Sequence, residues 1–483
     1  MIKLKNDLSN LQEFFAAHVP ADQVAPMQTA FLKALSLLAH RHYKGKMQSV
    51  PKAGIWGFNW FNIWYTPGVS AVSTTIRDRH QSSFELTNRG NLVAVVSDST
   101  RVLGDGDCSP FGGMGVMEGK AMLMKYLGGC DAIALCVDNR DEDGTPNPQK
   151  LIDFVKMLQP SVGAVNLEDI SQPNCYIVLD ELRKSCQIPV WHDDAQGTAC
   201  VTLAGVINAL KLTDRKMSEI KAVLFGAGAS NTTIASFLLQ SGLNPDNLVV
   251  FDSKGALHKN RADTRDNPKR FKQWELAQKT NPHEYNTMEE AMDGADLLIA
   301  LSTPGPNVIK PEWIKLMADK AIVFCCANPV PEIYPNEAKA AGAYIVATGR
   351  GDFPNQINNS VGFPGILKGA LMVQATQITD PMAIAAAHSL ATFAQNRGID
   401  SENIVPKMDE TEVFAHVAAD VAMQAIEDGV ARQKISREQA FNTALSDINS
   451  ARELTHLMMD KGFIGAIDDE LIAQALKDCG IDS

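Results

Sequence analysis

The 483-residue chain predicts an α/β protein: a first α/β domain built on a parallel sheet, a second doubly wound α/β domain, and helical extensions at both ends. Three observations carry this expectation. Strand-like and helix-like runs alternate from Asn91 onward, a second such series starts at KAVLFGAGAS (221–230), and the terminal stretches carry apolar residues at helical spacing. The expected boundaries are 1–50 for an N-terminal helical segment, 51–195 for the first α/β domain, 196–436 for the second, and 437–483 for a helical tail.

In the first segment, Leu8, Leu11, Phe14 and Phe15, and later Phe31, Leu32, Leu35 and Leu38, recur every three or four residues, with a turn near Pro20. The aromatic stretch GIWGFNWFNIWYTPGVS (54–70) turns at Pro67-Gly68 and reads as a buried loop or the wall of a site. Then come NLVAVVSD, GVMEGKAMLMKYLGG, DAIALCVD, PQKLIDFVKMLQP, VGAVNLED, a helix over 173–186, and IPVWHDD. Strands joined by crossover helices are parallel neighbours. The second series continues with NLVVFD, ADLLIALS, KAIVFCCANP and AYIVATGR, and beyond about residue 380 the pattern is helical.

The formal charge is −12, from 44 Lys+Arg against 56 Asp+Glu, without any basic block, so a polyanionic backbone finds no electrostatic footprint here. No stretch approaches the roughly 18 apolar residues of a membrane span, and a cytoplasmic location is expected. Nine cysteines, Cys108 and Cys200 among them, are scattered singly except for Cys325-Cys326. With no C-x-x-C pair they read as buried reduced thiols.

In AVLFGAGASNTTIASFLLQSG a strand, a glycine turn and a helix follow one another, and the next strand ends at Asp252. This is the setting of a Rossmann-type NAD(P) site. Gly226 permits the tight turn, Gly228 lets the backbone approach the pyrophosphate, and the helix opening at Ala229 offers unpaired N–H groups. Asp252 can accept from ribose hydroxyls, which points to NAD, while Lys254 after Ser253 can neutralise a 2′-phosphate, which points to NADP. The third glycine position holds Asn231 instead.

Two acidic pairs, Glu168-Asp169 and Asp193-Asp194, each close a strand-like run. Strand-end acids serve as helix caps or solvated loops, but two pairs on one sheet edge also suit a hard cation such as Mg²⁺ or Mn²⁺. Lys120 lies among Met117, Met122, Leu123 and Met124 on a helix expected to be buried. It is either a snorkelling lysine or a base, and a base must be largely neutral. Tyr65 reads as a proton donor or a core phenol, and Arg101 as a carboxylate clamp or a surface residue. LGDGDCSPFGGMG (103–115) reads as a flexible loop.

Taken together, YTPGV, NLVAVVSDSTRVLGDGD, VMEGKAMLMKYLGG, VNLEDIS, VWHDDAQGTA, GAGAS, CANPVPEI and ATGRGDFPNQINNSVGFPG resemble the malic enzymes from about Tyr65 to about residue 435. The resemblance implies oxidative decarboxylation of L-malate to pyruvate and CO₂ with NAD or NADP and a divalent metal. It makes Lys120 the general base, Tyr65 the general acid, and Asp193 the support of the lysine. Glu168, Asp169 and Asp194 become metal ligands and Arg101 a holder of a substrate carboxylate. Asn328 and Asn359 line the substrate and nicotinamide site, with Asn358 beside them. Ser302 falls on the second cofactor loop, and DSKG (252–255) resembles the NADP-using forms. Two alternatives stand beside this reading: malolactic decarboxylation, with the dinucleotide retained and lactate released, and a catalytically silent dinucleotide or metabolite sensor. A homodimer or homotetramer is expected.

Overall fold

In the computed structural model, which describes residues 2–21 and 23–481, the apolar runs become strands covered on both faces, as parallel sheets require. Among the described residues the strands are β1 (Leu92–Ser97), β2 (Asp131–Cys136), β3 (Ala164–Leu167), β4 (Val190–His192), β5 (Ala222–Phe225), β6 (Leu248–Asp252), β7 (Gly255–Ala256), β8 (Leu297–Ala300), β9 (Ala321–Cys325) and β10 (Ala343–Thr348). The helices of eight residues or more are α1 (Leu11–His18), α2 (Val24–Tyr43), α3 (Val69–Asp78), α4 (Met114–Gly128), α5 (Pro148–Leu158), α6 (Asn174–Ser185), α7 (Thr198–Thr213), α8 (Ala229–Gln240), α9 (Phe363–Met372), α10 (Asp380–Arg397), α11 (Glu412–Glu427), α12 (Arg437–Asp460) and α13 (Asp469–Asp478).

The chain folds as two compact units. Residues 1–52 and 451–483 form one, whose core joins Phe15 and Phe31 of α1 and α2 to Ile472 and Leu476 of α13. Residues 53–450 form the other and contain both sheets. The first sheet runs β2-β1-β3-β4 with every pairing parallel. The second runs β10-β9-β8-β5-β6-β7, parallel except where the two-residue β7 pairs antiparallel with β6. In each sheet one strand has its successors on opposite sides: β1 lies between β2 and β3, and β5 between β6 and β8. Such a switch point opens a crevice at the carboxyl ends of the strands, where ligands of α/β folds bind.

Between β4 and β5 runs α7, apolar around nearly its whole circumference and buried accordingly. It packs on α8 and α10, while α11 packs on α9 and α10. Trp191, Phe324, Phe363 and Phe414 belong to one continuous core with these helices.

One expectation is corrected here. The stretch 54–70 forms no buried loop: no residue from 51 to 80 is buried, and two short helical turns, Phe58–Trp60 and Phe61–Trp64, lead into α3.

The off-pattern Asn231 has a clear role. Gly226 has φ +103°, and a Cβ there would run into the Leu301 carbonyl, so the turn after β5 is pressed against the end of β8. Asn231 is buried, and its Nδ2 donates to the carbonyls of Phe225 at 3.0 Å and Gly226 at 2.9 Å. It pins α8 to that turn by hydrogen bonds where a glycine would do so by close packing. Asn231→Gly leaves both carbonyls without this donor and is expected to destabilise the protein by about 1–3 kcal/mol. Chemical denaturation checks this, and an unchanged midpoint would contradict it.

Candidate active site

Parallel pairing of Val165 with Val190 and Leu167 with His192 brings the ends of β3 and β4 level, so the two acidic pairs emerge side by side. Neighbouring residues on a regular strand face opposite ways, which would separate Glu168 from Asp169. The strand has already stopped at Leu167, and Asp169 takes the left-handed conformation, φ +54°. As a result, carboxylate oxygens of Glu168, Asp169 and Asp194 lie within 4.8 Å of one another. The Asp169 N–H donates to Asp194 at 2.8 Å. Residues Asp193–Gly197 form a π-helical turn opening into α7, a widening that often marks functional positions. Gly197 is required there, since a Cβ would collide with the Asp193 carboxylate and approach Asn359 to 3.1 Å.

Lys120, on α4, is almost completely buried and points its ammonium at this cluster, 3.0 Å from Glu168 and hydrogen-bonded to Asp193. The Phe363 ring covers it at 4.6 Å. Burial alone would lower its pKa, but the carboxylates of Asp193, Glu168 and Asp194 outweigh burial and hold it well above the ordinary lysine range. These three carboxylates favour the ammonium form, so action as a base requires their charge to be compensated. Burial also pushes Glu168 upward and, with Asp194 adding to it, raises Asp169 to about 7. His192, buried beside them, is held below its usual range by desolvation and stays neutral.

These residues fit a divalent cation. A buried Asp169 oxygen has no partner among the described residues, and three acids offer hard oxygen ligands at one point. Glu168, Asp169 and Asp194 would hold the ion.

The loop after β1 closes the site from the side. The Arg101 N–H donates to the Asp169 carbonyl at 3.0 Å, leaving the side chain in the open. Asp98 anchors that loop, accepting from the Thr100 hydroxyl at 2.7 Å and from Asn139 at 3.0 Å, while Thr100 Oγ1 accepts from the Ser171 N–H at 2.9 Å. Gly104 lies so close to the Asn328 carbonyl that a Cβ would sit 3.1 Å from it. Arg101 thus adjoins the acidic cluster through its backbone, Asn328 adjoins the same loop at Gly104, and Asn358 caps the turn of Asn359 through the Ser360 N–H at 2.9 Å. Tyr65 is not brought there: it is 71% exposed, on the arm that packs chiefly against its own sequence neighbours.

On the second sheet a Cβ at Gly228 would meet no protein atom within 4 Å, so the backbone beside Ala229 is open to close approach. Ser230 Oγ donates to the Asp194 carbonyl at 3.0 Å, which joins the start of α8 to the acidic cluster. Ser302 donates through its N–H at 2.8 Å and its hydroxyl at 3.2 Å to the buried Glu332, whose other oxygen accepts from the Ala327 N–H at 3.1 Å. One carboxylate thereby locks the loops after β8 and β9. Asp252 requires correction as a free ribose acceptor. Its oxygens are taken by Arg270, by Arg261 at 3.1 Å and by the Lys254 N–H at 2.7 Å. Burial would raise its pKa, but these donors hold it below the usual carboxylate range. Ser253 and Lys254 are exposed beside it, with the Lys254 ammonium 3.4 Å from Asp263.

Several contributors escaped the motif reading. Asn166 donates to Glu168 at 2.8 Å and Trp191 to Asp193 at 3.0 Å, each from two residues upstream on the same strand face. Period-two spacing before each acidic pair was the available signal. Glu332, Phe363 and the Asp98 network had none, because their partners are distant in sequence.

Comparison with known proteins agrees with this geometry. Residues 57–183 match the family model "Malic enzyme, N-terminal domain" and residues 195–426 match "Malic enzyme, NAD binding domain". The chain is 39% identical to the bifunctional malic/malolactic enzyme of Bacillus subtilis, covering 84% of this chain and 96% of that one. It is 41% identical to the NAD-dependent malic enzyme of Geobacillus stearothermophilus, covering 81% of this chain and 79% of that one. The crystal structure of the Entamoeba histolytica malic enzyme superposes with a TM-score of 0.96 at 56% identity, covering 99% of both chains. The fold, the two matched domains and these relatives lead to one assignment: the chain belongs to the malic enzyme family.

Proposed function

We propose that this protein catalyses the oxidative decarboxylation of L-malate to pyruvate and CO₂, reducing a nicotinamide dinucleotide with the help of Mg²⁺ or Mn²⁺. The observation that carries this reading is the Ser230–Asp194 hydrogen bond: the cofactor helix and the cluster that surrounds Lys120 abut, so a hydride acceptor and a proton acceptor serve one substrate carbon.

Arg101 receives a malate carboxylate through paired N–H donors, with Asn359 beside Asp193 bordering the substrate. Lys120 takes the C2-hydroxyl proton as hydride leaves C2 for the nicotinamide. Asp193, held by Trp191, aims the lysine nitrogen and compensates its charge. Glu168, Asp169 and Asp194 would hold a divalent cation, which would offset their charge and supply Lewis-acid chemistry to the decarboxylation. Protonation of enolpyruvate at C3 is assigned to Tyr65.

Between the two dinucleotides the charge balance favours NADP. Lys254, Arg261 and Arg270 outnumber Asp252 and Asp263 at the end of β6, and Asp252 is engaged with the arginines rather than available to a ribose hydroxyl. All nine cysteines are unpaired, which suits a reducing compartment such as the cytoplasm.

Steady-state assays with malate and Mn²⁺ should yield pyruvate and reduced cofactor, with a higher kcat/KM for NADP than for NAD. Lactate in place of pyruvate would indicate the malolactic course, and no turnover with either dinucleotide would refute the assignment. Lys120→Ala is expected to lower kcat about 10²–10⁴-fold while NADPH binding, followed by fluorescence titration, stays near the wild-type value. Because burial and the Asp194 carboxylate raise Asp169 to about 7, Mn²⁺ binding below that pH is expected to expel a proton. Calorimetric Mn²⁺ affinity should therefore fall by about tenfold per pH unit from pH 7 downward and level off above pH 8.

A further inference from the structure

We propose that Glu332 is a positioning residue for the reaction: its single carboxylate holds the loops after β8 and β9 in one register, so that dinucleotide and malate are bound as a pair rather than independently. This rests on the malic enzyme reading above, in which Ser302 lies on the cofactor side and Asn328 on the substrate side.

Glu332 is fully buried at 0% exposure, yet among the described residues no lysine, arginine or histidine pairs with it. A buried carboxylate without a cation is costly unless hydrogen bonds replace its water. Three do so here. The Ser302 N–H at 2.8 Å and hydroxyl at 3.2 Å reach one oxygen, and the Ala327 N–H at 3.1 Å reaches the other. Burial pushes the acid up, but every partner is a donor, so the ionised form is the one that both loops are built on. The main chain adds to the lock: the Glu332 carbonyl accepts from the N–H groups of Val308 and Ile309, each at 3.1 Å, and the Val330 carbonyl from that of Gly305 at 3.2 Å.

The loop after β9 is gripped from other sides as well. Arg350, paired with Asp352 at 2.8 Å, donates to the Pro329 carbonyl at 2.7 Å, and a Cβ at Gly349 would come within 2.7 Å of the Asn328 amide nitrogen. Gly104, whose Cβ would sit 3.1 Å from the Asn328 carbonyl, belongs to the same loop after β1 that carries Arg101. A dinucleotide that fixes the loop after β8 therefore fixes Asn328 and the Arg101 loop through Glu332. By linkage, malate strengthens dinucleotide binding by the same factor.

Glu332→Gln tests this, because the amide matches the acid in size but has one acceptor oxygen: whichever way it turns, its NH₂ faces a donor on one of the two loops. The variant is expected to raise KM for malate and for the dinucleotide by about tenfold each, the effect of one mispaired buried hydrogen bond. A residue that served folding alone would lower the Tm and leave both KM values unchanged. Either that result or a rise confined to one ligand would overturn the proposal. A second readout needs no turnover. In hydrogen exchange, saturating NADPH or NADH, whichever binds more tightly, should slow peptides covering 301–310 and also those covering 99–107 in the wild type. Glu332→Gln should keep the first effect and lose the second. Slowing at 99–107 that is absent from the wild type, or that persists in the variant, would equally overturn it. A wild type that shows both effects but does not turn over malate would count against the malate reading alone. If the amide variant does not fold, Glu332→Asp, which keeps the charge but is one methylene too short to bridge both loops, gives the same comparison.

Discussion

Four carboxylates and one buried ammonium converge at the carboxyl edge of the first sheet, and this concentration of like charge is the constraint from which the rest of the site follows. Glu168, Asp169, Asp193 and Asp194 lie on loops that parallel pairing of β3 and β4 forces together. Their mutual repulsion and burial are relieved by Lys120, by protons, or by a divalent cation. Every nearby device serves the same balance. Asn166 and Trp191 each supply an N–H to one acid, the left-handed turn at Asp169 aims a carboxylate it would otherwise misdirect, and Gly197 leaves room for Asp193. A lysine in such company is a strong cation, and it becomes a base only as the surrounding negative charge is compensated.

The second sheet repeats the topological idea for a different ligand. Its switch point presses the glycine turn after β5 against the end of β8, and Glu332 locks the loops after β8 and β9 with one buried carboxylate. The two switch points communicate through a short path. Asp194 offers its carboxylate to the cluster that could hold a cation and receives Ser230 of α8 through its carbonyl. The start of α8, the Lys120 ammonium and the acidic cluster are therefore joined through adjacent residues of the turn into α7 rather than through separate structures.

The aromatic arm stands apart from this arrangement. It is neutral and rich in aromatic side chains, yet none of its residues is buried within the chain. Its composition belongs to a protein interior, although the arm lies on the surface of the chain.

The alternation of strands and helices, the glycine turn, the acidic pairs and Lys120 were all legible in the amino-acid sequence, because each is a local pattern: a period, a turn residue, or a polar group where an apolar strand ends. The strings VNLED, VWHDD and GAGAS resembled a known family for the same reason. What only the tertiary structure decided involves residues remote in sequence. Arg270 and Arg261 close over Asp252 and remove it as a free acceptor, Asn231 replaces close glycine packing with two hydrogen bonds, and Glu168 and Asp194 join Asp193 in favouring the ammonium form of Lys120. Tyr65 shows the limit most plainly. The family resemblance implies a proton donor there, but whether a side chain reaches a site depends on how the chain packs in space, and no spacing along the chain encodes that distance.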